Sequence, residues 1–192
     1  MDPIDALDRA QTEFDRRLRT VTDTDWLKDS PCSEWNVRGV VHHVVFGNSM
    51  AVRLLAGASA AEARADLDPA LTEQIATDAQ SAFDTTAGEQ AVAFRQPGAL
   101  ELTVHHPAMD MPGGQLLGFR TADLALHAWD VAQAIGGDVE LDSDLVQYLW
   151  DFFQPMAPFI GEVGMFGTGP SGFFNDDAPL QLRLLDLTGR RS

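Results

Sequence analysis

The sequence has a single cysteine and few basic residues, and both shortages exclude classes of protein. With Cys32 alone, neither an intramolecular disulfide nor a metal site built on several cysteines can form. The chain has 13 Lys and Arg against 29 Asp and Glu, and its formal net charge of −16 opposes binding to nucleic acid or to an anionic membrane. We therefore expect neither as a partner, and we interpret Cys32 as a structural thiol.

Long apolar runs are also missing. No stretch approaches the roughly 18 consecutive apolar residues of a transmembrane helix. The first residues show neither the basic region nor the apolar region of a signal peptide. These absences predict a cytoplasmic protein.

The sequence does contain enough apolar residues for one full core. With 192 residues and 45% hydrophobic composition, the chain fits a single domain, 1–192. Apolar residues recur three, four or seven positions apart along much of the chain, and this spacing predicts helices. The predicted helices cover 3–21, 37–56, 69–88 and 119–136, with two more starting near 143 and 179. The glycine-rich stretch 161–177 predicts a loop.

One short region departs from the helical pattern. Residues 91–95 (AVAFR) and 100–104 (LELTV) alternate in the manner of strands. Between them, Gln96-Pro97-Gly98 is a turn sequence. This region therefore predicts a small β-hairpin or an irregular insertion before the 119–136 helix.

The 119–136 helix carries a polar line on an otherwise apolar surface. At about 100° per residue, its polar side chains fall within about a quarter-turn of one another. Because apolar residues flank this line on both sides, we expect the polar side chains to point into a pocket, where they need partners. A buried Asp–His pair that satisfies only itself is the alternative. The line consists of Arg120, Asp123, His127 and Asp130.

Two residues of this line have the spacing of metal ligands. Asp123 and His127 lie about one helical turn apart, so both can reach one ion from a single face. A carboxylate and an imidazole suit zinc or another first-row divalent ion, but a third ligand must come from elsewhere. His43 is the candidate, because it interrupts an apolar row of the 37–56 helix. The sequence thus predicts a metal site of His43, Asp123 and His127 inside a helix bundle.

Three blocks of the sequence resemble the DinB-like superfamily of mycothiol-dependent maleylpyruvate isomerases, and more narrowly its actinobacterial branch. The blocks are Ser30–Arg38 followed by His43, Asp123–Asp130, and Arg183–Arg190. The resemblance implies an all-α fold with a DinB-like four-helix bundle core, a C-terminal helix, and residues 137–192 as an extension of the bundle. It also implies a divalent ion, zinc or nickel, held by His43, Asp123 and His127, and mycothiol as a thiol cofactor.

From these observations we expect a metal-dependent thiol transferase or isomerase acting on a small electrophilic substrate. Asp130 is then a base or an orienting residue, or a metal ligand in place of Asp123, and Arg120 is an anion contact. Two other classes stay open. A His, His, carboxylate set also fits a non-haem iron enzyme, and a bundle without thiol chemistry could bind a small molecule or regulate a partner. A homodimer is left open as well.

Overall fold

The computed structural model describes residues 1–33, 35–65, 67–160 and 169–190, and most of them lie in helices. Helices α1, α2, α4 and α5 pack against one another around one core, which confirms the predicted helical bundle. Helix α7 packs on α6. In chain order the elements are α1 Pro3–Leu18, α2 Val37–Leu55, α3 Ala60–Arg64, α4 Leu67–Phe94, β1 Thr103–His105, β2 Asp110–Pro112, α5 Gly113–Ile135, α6 Ser143–Phe153, a 3-10 turn Gln154–Phe159, and α7 Leu180–Leu187.

Side-chain caps explain where several of these helices begin. The carboxylate of Asp2 accepts a hydrogen bond from the backbone N–H of Ile4 at 2.9 Å, and the amide oxygen of Asn36 accepts one from Gly39 at 3.0 Å. Such caps satisfy N–H groups that have no partner within the helix. The cap at Asn36 matters for function because it fixes the start of α2, and His43 lies two turns further along that helix.

The hairpin lies later in the chain than predicted. Strands β1 and β2 pair antiparallel, from Thr103 opposite Pro112 to His105 opposite Asp110. The predicted strand at 91–95 is wrong, because α4 continues to Phe94. Gln96-Pro97-Gly98 does form a turn, in which the N–H of Ala99 donates to the carbonyl of Gln96 at 3.0 Å, but the turn follows a helix and not a strand. Gln90 and Phe94 are both buried, and residues four apart share one helix face. Burial of that face favours the helix over the short alternation in the sequence.

Helix α5 is buried along its polar line as well as on its apolar flanks. Arg120 and His127 are 6% and 5% exposed, and Asp130 is fully buried. Gly136, at a φ of 72°, ends the helix in the left-handed conformation that glycine adopts readily. A charged line inside a core is stable only if each group finds a partner, so the surroundings of these residues define the site.

Two further observations concern the rest of the chain. Within the described ranges, no helix combines the length and the apolar character needed to cross a membrane. The predicted loop at 161–177 falls partly outside the described residues, and its described part, 169–177, contains neither helix nor strand.

Candidate metal centre

The structure brings the three predicted ligands together, one from α2 and two from α5. His43 Nε2 lies 3.0 Å from Asp123 Oδ1, and His127 Nε2 lies 3.3 Å from the same oxygen. One ligand atom from each residue lies within 4.8 Å of the others. The side chains of His43 and Asp123 are 36% and 15% exposed, whereas that of His127 is 6% exposed. The cluster therefore opens to solvent beside His43 and closes at His127.

Trp35 forms a wall over both histidines. Its ring stacks on His43 with centroids 4.4 Å apart and an angle of 28° between the planes, and its centroid lies 5.7 Å from that of His127. Gly39 allows this placement, since a Cβ there would lie 3.0 Å from the Cβ of Trp35. The indole thus limits the freedom of His43 and shields one side of the cluster from water.

Arg120 is buried and binds the oxygen of Asp123 that does not face the histidines. Its guanidinium donates to Oδ2 of Asp123 at 2.7 Å, which leaves Oδ1 to face the two imidazoles. Gly47 provides the space, because a Cβ at that position would overlap the guanidinium. With these contacts, Arg120 supports Asp123, and we propose this in place of the anion contact expected from the sequence. Its other acceptors are Gln90 Oε1, Val44 O and Asn48 Oδ1, at 3.1, 3.1 and 2.9 Å.

Asp130 lies at the other ring nitrogen of His127. Its Oδ2 is 2.7 Å from His127 Nδ1. Arg190 donates to both of its oxygens, from Nε to Oδ1 at 2.9 Å and from Nη2 to Oδ2 at 2.7 Å. The thiol of Cys32 donates to Oδ2 at 3.3 Å. Sequence reasoning missed Arg190 and Cys32 as neighbours of Asp130, because no spacing in the chain connects them. One general indication of such a neighbour was available from the sequence: a carboxylate expected to be buried needs a cationic partner.

A second donor set shares His127. Among the described residues, Cys32, His127 and Asp130 also place one ligand atom each within 4.8 Å of the others, and they too could hold a metal ion. In both sets an arginine pairs with the carboxylate, but Arg120 binds one oxygen of Asp123 and Arg190 binds both oxygens of Asp130. Arg190 already neutralises Asp130 through both oxygens, whereas one oxygen of Asp123 faces the histidines.

The electrostatics of the cluster favour anionic carboxylates. Burial alone raises the pKa of Asp123, but the charges of His43, Arg120 and His127 outweigh it and hold that pKa well below its usual range. In the same way, burial raises the pKa of Asp130, and the charge of Arg190 with the hydrogen bond from His127 brings it down to about 2.

The pKa of the His127 imidazole is shifted in the opposite direction, upward. Burial lowers its pKa, but the charge of Asp123 and hydrogen bonds to both carboxylates raise the pKa well above its ordinary value. In the protein without metal, His127 therefore holds a proton that a metal ion at Nε2 would have to displace.

The chain is a helical bundle with a cluster of imidazoles and carboxylates between two of its helices. The family described as the mycothiol maleylpyruvate isomerase N-terminal domain matches residues 7–132. Two uncharacterized proteins from two strains of Mycobacterium tuberculosis are each 31% identical to the chain over 179 residues, which is 93% of this chain and 89% of theirs. The chain belongs to the mycothiol maleylpyruvate isomerase N-terminal domain family.

Solved structures agree with this assignment at the level of the fold. The mycothiol-dependent maleylpyruvate isomerase matches with a TM-score of 0.61 at 18% identity, over 82% of this chain and 68% of that one. A histidine-to-alanine mutant of the isomerase matches with a TM-score of 0.60 at 16% identity, over 77% and 66% of the two chains. The chain thus spans about two thirds of the isomerase, and at this identity the likeness concerns the fold alone.

Proposed function

We propose that this chain is a divalent-metal-dependent enzyme that uses a thiol cofactor, mycothiol, in the transfer or isomerisation of a small electrophilic substrate. The observation that carries the proposal is the meeting of His43, Asp123 and His127 at one point between α2 and α5. Membership in a family named for mycothiol and maleylpyruvate isomerase supports the choice of cofactor and of reaction type.

The residues present fit a divalent cation. Two imidazole nitrogens and one carboxylate oxygen suit zinc or nickel, and three protein ligands leave coordination positions free for other groups. The low pKa of Asp123 keeps its carboxylate anionic at neutral pH. A divalent ion held here would lower the pKa of a coordinated thiol, so that a nucleophilic thiolate forms near neutral pH.

The surrounding residues have separate tasks in this proposal. Arg120 holds one oxygen of Asp123 and so directs the other toward the histidines. Trp35 excludes water from one side of the cluster. Asp130 is fully buried and both of its oxygens are hydrogen-bonded, so we assign it the orienting role and not that of a base on the substrate. Substrate and thiol then approach beside the part-exposed His43.

Metal content and thiol chemistry test the proposal together. We expect purified protein to contain about one divalent ion per chain, and the His43→Ala variant to contain none. Transfer of mycothiol to a small electrophile should require the ion, disappear with chelator and return when zinc or nickel is added. Full transfer activity in chelator-treated protein would contradict the proposal.

Other results of this experiment would select another function. Two histidines and one carboxylate are also the ligand set of non-haem iron oxygenases. Bound iron together with oxygen consumption would indicate such an oxygenase and not a thiol-dependent enzyme. If the wild-type protein binds neither metal nor thiol, the remaining candidate is a helical bundle that binds a small molecule or regulates a partner.

A further inference from the structure

We infer that Arg190 is a positioning residue of the candidate metal centre: acting through Asp130, it holds His127 so that Nε2 faces the cation. This inference rests on the proposed metal-dependent function, and it assigns a task to the last described residue of the chain. Arg190 does not touch the three candidate ligands in any described hydrogen bond; its side-chain contacts are with Asp130, Cys32 and Thr188.

The contacts form a continuous series from the end of the chain to the cluster. Arg190 binds both oxygens of Asp130, at 2.9 and 2.7 Å, in the two-pronged geometry that a guanidinium makes with a carboxylate. Asp130 in turn lies 2.7 Å from Nδ1 of His127. On the opposite side of the same ring, Nε2 lies 3.3 Å from Oδ1 of Asp123.

The donor and acceptor roles in this series follow from the chemistry of the groups. An ionised carboxylate only accepts hydrogen bonds, and a guanidinium only donates them. Because Arg190 donates to both oxygens of Asp130, this carboxylate is also the acceptor in its contact with His127, so Nδ1 is the donor and Nε2 is the nitrogen that could bind the ion. All three residues are at least nine-tenths buried, so water cannot easily replace a missing partner.

The local sequence explains why Arg190 arrives at this place. Helix α7 ends in a Schellman motif, in which the N–H of Gly189 donates to the carbonyl of Asp186 at 3.0 Å and the N–H of Arg190 donates to that of Leu185 at 2.8 Å. Gly189 has a φ of 76°, the left-handed conformation that this motif requires. The turn directs the chain back toward α5, and the Arg190 side chain reaches Asp130 across 60 positions of sequence.

A double-mutant cycle on zinc affinity tests the inference. We would measure zinc binding by competition with a chromophoric chelator for the wild type, Arg190→Gln, Asp130→Asn and the double variant. Loss of such an outer partner typically weakens metal binding about 10–100-fold, and we expect this for either single variant. Because Arg190 acts through Asp130, Arg190→Gln should change the affinity by less than about twofold in the Asp130→Asn background.

Arg183→Gln is the matched control. Arg183 lies on α7, seven positions before Arg190; it pairs with the exposed Asp176 and stacks on Trp150. The same change of residue type should leave zinc affinity within about twofold of the wild type. Nitrogen-15 labelling of histidine supplies a second readout: in the zinc-loaded wild type, His127 should carry its proton on Nδ1, and this proton should exchange faster with water in Arg190→Gln.

The outcomes of these measurements distinguish failure of the Arg190 inference from failure of the proposed function. If the wild type binds zinc and Arg190→Gln binds it equally well, the inference is overturned while the proposed function stands. Additive effects in the cycle would also overturn it, because Arg190 would then act by another route. If Arg190→Gln does not fold, Arg190→Lys keeps the charge without the two-pronged contact and should still bind zinc more weakly than Arg183→Lys. A wild type that binds neither zinc nor nickel refutes the proposed function itself.

Discussion

Asp130 approaches His127 at Nδ1, at a distance of 2.7 Å, on the side of the ring opposite to Asp123. One imidazole thus separates two carboxylates with different neighbours. Asp123 shares its free oxygen with two histidines, and Asp130 is bound by Arg190.

The two carboxylates should differ in their effect on metal binding. We expect Asp123→Asn to weaken zinc binding by well over about 100-fold, because it removes a charged ligand, and Asp130→Asn to weaken it only about 10–100-fold, because it removes a partner of a ligand. Competition titration measures both constants. Equal losses, or a larger loss in Asp130→Asn, would indicate that Cys32, His127 and Asp130 form the binding set.

Gly47→Ala should disturb the cluster by displacing Arg120 from Asp123. A Cβ at this position overlaps the Arg120 guanidinium, so Arg120 must move away from Asp123, and overpacking of this kind costs about 1–3 kcal/mol of stability. Urea unfolding measures the loss, and zinc titration should show weaker binding.

The control for that change is Gly88→Ala. Gly88 lies inside α4 and a Cβ there meets nothing within 4 Å. Alanine favours a helix over glycine by roughly 0.5–1 kcal/mol, so this variant should be slightly more stable than the wild type and bind zinc equally well. A Gly47→Ala variant as stable as Gly88→Ala would show that Arg120 adapts without cost.

Zinc should stabilise the folded protein through His43. A ligand that binds only the native state adds about 2.7 kcal/mol of stability at 100 times its dissociation constant. We expect a rise in Tm with zinc for the wild type and for His42→Ala, whose side chain contacts Thr72 and not the cluster. His43→Ala should show no rise. An equal rise in all three proteins would place the bound zinc elsewhere.

Asp25 should contribute to acid sensitivity in a defined pH range. Hydrogen bonds from Lys28 and from Thr22 lower the pKa of its carboxyl to about 2, compared with about 3.9 in an unfolded chain. Because the folded pKa is the lower one, the contribution of Asp25 to stability is complete above about pH 4 and is lost as the pH falls toward 2. The stability difference between wild type and Asp25→Asn should shrink over that range.

The exposed Asp23, two positions before Asp25, serves as the reference for this pH series. Asp23→Asn should give a stability difference from the wild type that is small at neutral pH. Unfolding in urea at a series of pH values measures all three proteins. A stability difference for Asp25→Asn that stays constant down to pH 2 would disprove the role of the carboxylate.

Local rules in the sequence were sufficient to locate most of the helices and to select the ligand candidates. Asn36 caps α2 as its residue type predicts, and Asp123 and His127 share a face because they are four residues apart on a helix. His43 stood out because it interrupts an apolar row. The helical bundle was predictable for the same reason, since periodicity depends on neighbours a few positions away.

The hairpin shows where local rules fail. A short alternation at 91–95 has the same pattern as a strand, but Gln90 and Phe94 are buried on the same face of α4. Packing of that face against the rest of the core decided the outcome, and no window of a few residues contains that information.

The sequence by itself determined which side chains lie on the polar line of α5 and which imidazole of α2 could join them. Only the tertiary structure decided how Asp123 and Asp130 divide their partners. Arg120 reaches Asp123 through a space left by Gly47 on another helix, and Arg190 reaches Asp130 across 60 positions. The physical reason is that a buried charge must find its partner in space, and the chain folds that partner into place without regard to its distance in sequence.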